Sequence, residues 1–234
     1  MGFSKIETLS LTDLFIQQIE NMILSGELEI GEKLPPAREL SIRMGVSRPV
    51  ISAGLIELEK LGFVEIHPRQ GVFVCDYRRK GTLETLVAIM RYNGGTMRRK
   101  EVRSLLETRN ALECLCVRLL IEESSDEELC TLSPILKDLQ GTSDNDTAAE
   151  IVFRFHHEMA VLSGNALLPL MYYSFRPESV HLWTLYCKYN GIMAIYEIKK
   201  DLYDALCSRN IDKAITLTNN SMTRAIDNLP MYGA

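Results

Sequence analysis

Three groups of residues in this chain have types and spacings that can do chemistry. Arg38, Ser47, Arg48, Pro49 and Ser52 fall where a short helix, a turn at Gly45 and a second helix are expected. Ser47 and Arg48 stand at the start of that second helix. Free N–H groups and the helix dipole there favour phosphate, and a guanidinium forks onto the O6 and N7 atoms of guanine. Arg69, Gln70 and Gly71 lie at the tip of a Pro/Gly turn, placed for a groove or a phosphate backbone. The third group is Arg109, His156 and Lys199, spread over three expected helices. Cationic groups inside a helical bundle suit a carboxylate or phosphate ligand, with Arg154 and Tyr203 as further members. Arg109 reads equally well as a structural partner of Glu113 on its next turn.

The elements that must position these groups follow from periodicity. Apolar residues at 11, 14, 15, 19, 22 and 23 make a helical stripe, with Ser10 or Thr12 as its N-cap. Pro36 opens a second helix ending at Gly45. Ser47 caps a third that runs to about Leu61, where Pro49 is tolerated in the first turn. Phe63–Ile66 and Val72–Val74 then read as strands around the turn His67–Gly71. Helix, helix, short turn, helix, hairpin is the order of a winged helix-turn-helix.

Beyond it no strand is expected. Helices are predicted over 83–93, 98–122, 125–139, 147–163, 166–186, 190–208 and 211–228, broken at Asn93-Gly94-Gly95, Gly141–Asp144, Ser163–Asn165 and Asn190-Gly191. Ser125 and Glu128 have capping-box spacing. The fold class is therefore mostly α: a winged helix-turn-helix over 1–75, a charged linker over 76–82, and an all-helical bundle over 83–234.

Composition narrows the classes. With 234 residues, 46% hydrophobic and 24% charged, the chain suits one large or two modest globular domains. The net charge of −5 argues, taken whole, against a nucleic-acid binder. Locally the sign reverses. Residues 36–80 hold eight basic side chains (Arg38, Arg43, Arg48, Lys60, Arg69, Arg78, Arg79, Lys80) against five acidic ones (Glu39, Glu57, Glu59, Glu65, Asp76). Arg43 and Lys60 are expected to be solvated surface residues. The six cysteines form no CxxC pair and read as buried free thiols in a reducing cytosol. The opening Met-Gly-Phe-Ser-Lys-Ile has neither a secretory nor a myristoylation pattern. The longest uncharged run, Met159–Phe175, is interrupted by Ser163, Gly164, Asn165 and Pro169, so no membrane span is expected and the location is expected to be cytoplasmic. No nucleophile triad order, P-loop or GxGxxG is found, which speaks against an enzyme.

Leu34-Pro35-Pro36-Ala37-Arg38-Glu39-Leu40-Ser41, Gly45-Val46-Ser47-Arg48 and Gly71-Val72-Phe73-Val74 resemble the GntR family of bacterial transcription regulators over roughly residues 11–75. Glu107-Thr108-Arg109, Phe155-His156 and Ser163-Gly164-Asn165 are similar to the FCD-type helical ligand domain of its FadR-like subgroup, over most of 83–228. The resemblance implies a homodimer on a palindromic operator, with an effector in the helical domain changing DNA affinity. It also implies DNA contacts at Arg38, Ser47, Arg48, Pro49 and the wing residues. Ser52 stands where the family usually has a second recognition-helix arginine, so one contact is missing. Many helical domains of the subgroup hold a divalent metal through an Asp and three His. Here only His156 matches, with Val152, Lys199 and Ser221 at the other positions, so no cofactor or metal is expected. The implied effector is a small carboxylate or an acyl-CoA-like molecule. The competing reading is a DNA-binding dimer whose helical domain dimerises and senses nothing.

Overall fold

A computed structural model describes residues 9–91 and 99–228 of the chain. The break expected at Asn93-Gly94-Gly95 and the N-terminal hexapeptide lie outside the described residues. The chain divides into two compact units, 1–94 and 95–234.

The first unit begins with α1 (Leu11–Ser25), whose N-terminus carries a capping box between Ser10 and Asp13. Then come α2 (Ala37–Met44), α3 (Arg48–Lys60) and the antiparallel strands β1 (Val64–His67) and β2 (Gly71–Val74). Gly45 takes φ 66, a left-handed cap that turns the chain sharply between α2 and α3. Gly54 lets α3 lie directly on α1, since a Cβ there would come within 2.2 Å of the Phe15 ring. Phe15, Ile19, Ile51, Leu55, Leu58 and Phe63 fill the core between these helices and the hairpin.

One element escapes the periodicity. The segment 31–34 adds an extended edge to β2: Gly31 N–H donates to Val74 O, Val74 N–H to Glu32 O and Leu34 N–H to Val72 O, all at 2.8–2.9 Å. The stretch expected as a linker is also part of this unit. Tyr77–Lys80 form a helical turn, α4, and Lys80 pairs with Glu65 of β1. In α5 (Leu83–Arg91), the Thr85 hydroxyl donates to the Leu61 carbonyl at 2.5 Å, and Ala88 and Ile89 pack on the same core. Packing thus places the boundary after α5 and not at 76–82. The apolar face of α5 has its partner in the winged unit.

The second unit is helical among the described residues: α6 (Arg99–Glu123), α7 (Asp126–Cys130), α8 (Leu132–Gly141), α9 (Asn145–Leu162), α10 (Leu168–Ser174), α11 (Arg176–Asn190), α12 (Ile192–Cys207) and α13 (Ile211–Asp227). There are eight helices where six or seven were expected, because two predicted helices are split. Pro134 and Pro177 each sit near the start of the second piece. Their rings would clash with the carbonyls of Cys130 and Tyr173, so the preceding helix stops there. Helix α9 is the centre, packed by α6, α8, α10 and α11. Its inner side carries Ala148, Ala149, Val152, Phe155, His156, Met159 and Ala160, all essentially buried. Small residues there allow neighbours close enough to enclose His156.

The long α6 is fixed at both ends of its packing. Asn110 donates to Asn219 of α13 at 2.8 Å, and the Arg209 guanidinium caps the open carbonyls of Leu120 and Ile121 at 3.3 and 3.0 Å. All six cysteines are free, but Cys130 and Cys207 are exposed and Cys114 half-buried, so the expectation of buried thiols holds only for Cys75, Cys116 and Cys187. No helix among the described residues is long and apolar enough to cross a membrane.

Candidate nucleic-acid interface and effector cleft

On the winged unit the basic side chains separate into two kinds. Arg43 pairs with Glu39 one turn back, and Lys60 with Glu57 at 3.1 Å. Arg78 and Arg79 both engage Asp76, and Lys80 engages Glu65. Arg38, Arg48 and Arg69 remain; all three are exposed and have no ion pair among the described residues. These are the three arginines that the sequence assigned to a duplex, and Arg43 and Lys60 are the two it set aside.

Local geometry explains how each is presented. Ser47 occupies the N-cap of α3 with extended backbone, yet its hydroxyl makes no capping bond. The first turn of α3 therefore has its N–H groups uncapped by a side chain, a position suited to an anion. The outward face of α3 carries Arg48, Pro49, Ser52, Ala53 and Ile56, all exposed. Ala53 and Ile56 were missed as members of this face. Ala53 follows Pro49, and Ile56 follows Ser52, by four residues, which is the sequence signal that puts them on this face. At the wing tip the Gln70 N–H donates to the His67 carbonyl at 3.0 Å, with Pro68 second and Arg69 third in the turn at φ 67. That is a type II turn, in which the third position ordinarily takes glycine. Gly71 follows at φ 125, packed against the Lys33 side chain. Gln70 is exposed beside Arg69.

In the helical unit, Arg109 of α6, His156 of α9 and Lys199 of α12 converge, each at most 3% exposed. Arg109 and Lys199 line a cleft together with Leu106, Leu182, Trp183, Tyr186, Ile195, Ile198, Ser221, Met222 and Ala225. It holds about 560 Å³ of empty space, part of it open to solvent.

Two residues complete this group. Glu113, 1% exposed, stands 4.0 Å from Arg109 Nη2 through Oε2, while its Oε1 is 3.2 Å from His156 Nδ1. The second contact is close but out of line for a hydrogen bond. Trp183 of α11 stacks on His156, with ring centres 5.1 Å apart and planes at 10°, and the Arg109 guanidinium lies 4.5 Å from the same indole. Reading Arg109–Glu113 as either structural pair or pocket member was a false choice, since Glu113 belongs to the cluster. Trp183 joins the cluster through tertiary packing that spacing does not reveal.

Two further candidates lie elsewhere. Arg154 is on the surface, paired with Asp138. It precedes His156 by two positions and so faces away from it. Tyr203 packs against the core formed by α6–α8 and α12, beside Cys207.

Burial sets the charge states. It lowers the His156 imidazole well below its ordinary range, helped by Lys199 and Arg109, so the ring is neutral. Lys199 is pushed down to about 8, by burial first, with Glu113 opposing. Burial raises the Glu113 carboxyl, and Lys199 and Arg109 oppose it. Arg109 keeps its proton regardless. Arg109 Nη2, Glu113 Oε2, both His156 ring nitrogens and the Tyr172 hydroxyl are buried without a hydrogen bond to the protein. These polar atoms lie together, where ordered water or a polar ligand can satisfy them.

Among the described residues no three His, Cys, Asp or Glu side chains converge. His156 has one carboxylate nearby and two cations, which repel a metal ion.

Comparison with known proteins agrees with this division of labour. Residues 12–74 match the profile of the bacterial regulatory proteins of the gntR family, and residues 104–224 match the FCD domain. The HTH-type transcriptional regulator YcbG of Bacillus subtilis is 28% identical over 90% of this chain and 87% of its own length. LutR, a transcriptional regulator of the same organism, is 26% identical over 90% of this chain and 97% of its own. Among solved structures, that of Lar from Listeria monocytogenes superposes with a TM-score of 0.62, covering 94% of this chain and 97% of that one at 14% identity, which bears on the fold alone. The chain belongs to the GntR family and is a DNA-binding transcriptional regulator with a winged N-terminal domain and an FCD domain.

Proposed function

We propose that this regulator binds a palindromic operator as a homodimer in the cytoplasm and is controlled by a small carboxylate held in the cleft of its helical unit. The observation that carries the DNA half is the sorting of charge. Of eight basic residues between 36 and 80, five pair with four carboxylates of the unit and three (Arg38, Arg48 and Arg69) are left for a partner. Arg48 reads guanine, Arg38 and the start of α3 take phosphates, and Arg69, Gln70 and Gly71 reach the backbone or minor groove. Beyond Arg48 the α3 face is short and apolar, so Ser52, Ala53 and Ile56 favour thymine methyl groups. With few charges available, affinity rests on two half-sites bound together.

The sensing half rests on the buried cluster. Arg109 and Lys199 in a cleft, beside polar atoms with no protein partner, support an anionic ligand and disfavour a helical domain that only dimerises. A cleft of about 560 Å³, part of it open to solvent, favours a compact acid over an acyl-CoA, which has dozens of heavy atoms.

Selection of bound duplexes from a random pool tests the first half. A two-fold repeat with guanine in each half-site is expected, and recovery of sequences without symmetry overturns it. Thermal shift with a panel of small organic acids tests the second. Stabilisation lost in Arg109→Ala is expected, and no stabilisation by any acid returns the helical domain to dimerisation alone.

A further inference from the structure

We infer that Glu113 is a specificity-determining residue that restricts the cleft to ligands with a single negative charge. This rests on the cleft being the effector site. The buried cluster contains two cations, Arg109 and Lys199, one carboxylate, Glu113, and one neutral imidazole, His156. Arg109 cannot shed its proton. A neutral Glu113 would leave two buried cations with no counter-charge, so the carboxylate is the state the neighbours demand even against the pull of burial. The sum is one uncompensated positive charge in a buried setting.

A monocarboxylate brings that sum to zero. A dianion of the same size carries it past zero, and in the low dielectric of the cleft the surplus charge sits beside Glu113 unpaired. The unbonded atoms agree with the count. Glu113 Oε2 and Arg109 Nη2 are 4.0 Å apart, too far for a hydrogen bond, so the pair neutralises charge without using up the guanidinium's donors. Arg109 Nη2, on the cleft wall, therefore remains free to donate to a ligand's oxygens. Glu113 acts here as a built-in competitor: it occupies the charge, but not the hydrogen bonds, that a second ligand carboxylate would want.

The test uses acids matched in carbon count: propionate against malonate, butyrate against succinate, 2-methylbenzoate against phthalate, titrated into the full-length protein at pH 7 by calorimetry. The wild type is expected to bind at least one monocarboxylate at least tenfold tighter than its dicarboxylate partner. Glu113→Gln keeps the shape and removes the charge, and is expected to shift that ratio at least tenfold towards the dicarboxylate. Wild-type binding of dicarboxylates as tight as monocarboxylates, lost in Lys199→Met, overturns the charge match and leaves the cleft as the effector site. An unchanged ratio in a folded Glu113→Gln protein also overturns it. Should that variant not fold, the wild-type ratio alone decides. Binding of none of the six acids overturns both this inference and the effector site beneath it.

Discussion

Arg48 and Lys199 are both cations that the protein leaves without an adequate partner, and they are held in opposite ways. Arg48 stands in water on the first turn of α3, where hydration is good and leaving it unpaired costs the fold little. Lys199 is 3% exposed between α6, α9 and α13, where an ammonium is expensive. The lowering of its pKa from 10.5 to about 8 corresponds to roughly 3 kcal/mol spent keeping it charged. On the proposed function, the exposed cation serves a partner that is itself a polyanion and needs no enclosure. The buried one then serves a small anion, whose binding water would otherwise outcompete. Partner size decides whether a binding charge is kept at the surface or stored at the expense of stability.

The largest effect expected from this contrast is at the surface. Arg48→Ala removes a bidentate base contact from each half-site of a dimer, about 1–3 kcal/mol apiece, and is expected to abolish specific operator binding while leaving Tm unchanged. Lys60→Ala, whose ammonium already pairs with Glu57, is expected to leave affinity within about twofold. A gel shift at fixed salt compares the two. Equal affinities for wild type and Arg48→Ala would break the comparison at its exposed end.

The buried end predicts the reverse pattern. Lys199→Met removes a charge the fold carries at a loss, leaving Arg109 and Glu113 to balance one another. It is expected to stabilise the free protein by about 1–3 kcal/mol and to abolish stabilisation by acids. Thermal melts with and without ligand read both. A lower Tm would mean that Lys199 is structural. The wild type should show the same trade-off with pH. The groups facing Lys199 are Glu113 and Arg109 of α6 and His156 of α9, and of these His156 is already neutral. Ligand binding needs the protonated ammonium, so affinity is expected to fall about tenfold per unit above about pH 8. Stability runs the other way. With the folded pKa below the unfolded one, the free protein gains stability as pH rises from about 8 towards 10.5. Affinity flat from pH 7 to 9.5 would remove Lys199 from the site.

These two ends were not equally legible in the sequence. The winged unit is short-range: a glycine turn, a proline in a first turn and a hairpin fix where Arg48 and Arg69 point, and all lie within one stretch of chain. What escaped there was the edge at 31–34, which has no alternation of its own and is created by pairing to β2. The docking of α5 escaped for a similar reason, since its apolar stripe does not say which core receives it. In the helical unit, Arg109, His156 and Lys199 were identifiable by type and by resemblance. Their company was not, because Glu113 and Trp183 are drawn in by the packing of α6 and α11 around α9. Arg154 was avoidable, since two positions from His156 on a helix is nearly the opposite side.

The smallest expected effect lies at the wing tip, where one residue serves both fold and binding. Arg69 adopts φ 67 in a type II turn, a conformation that costs a side-chain-bearing residue roughly 1 kcal/mol. Turn geometry alone would select glycine there, and the DNA contact proposed for its guanidinium gives an arginine at that position a use. Arg69→Gly relieves the backbone and removes the charge, whereas Arg69→Ala removes the charge and keeps the strain. Glycine is expected to raise stability by about 0.5–1 kcal/mol over alanine, in chemical denaturation, with the gain limited by its greater freedom when unfolded. Both are expected to weaken operator and non-specific DNA alike, lowering the slope of log affinity against log salt by about one per half-site if Arg69 meets phosphate. Operator affinity unchanged in both variants would mean that the wing tip is strained for no partner, and would confine the exposed charges of the comparison to Arg38 and Arg48.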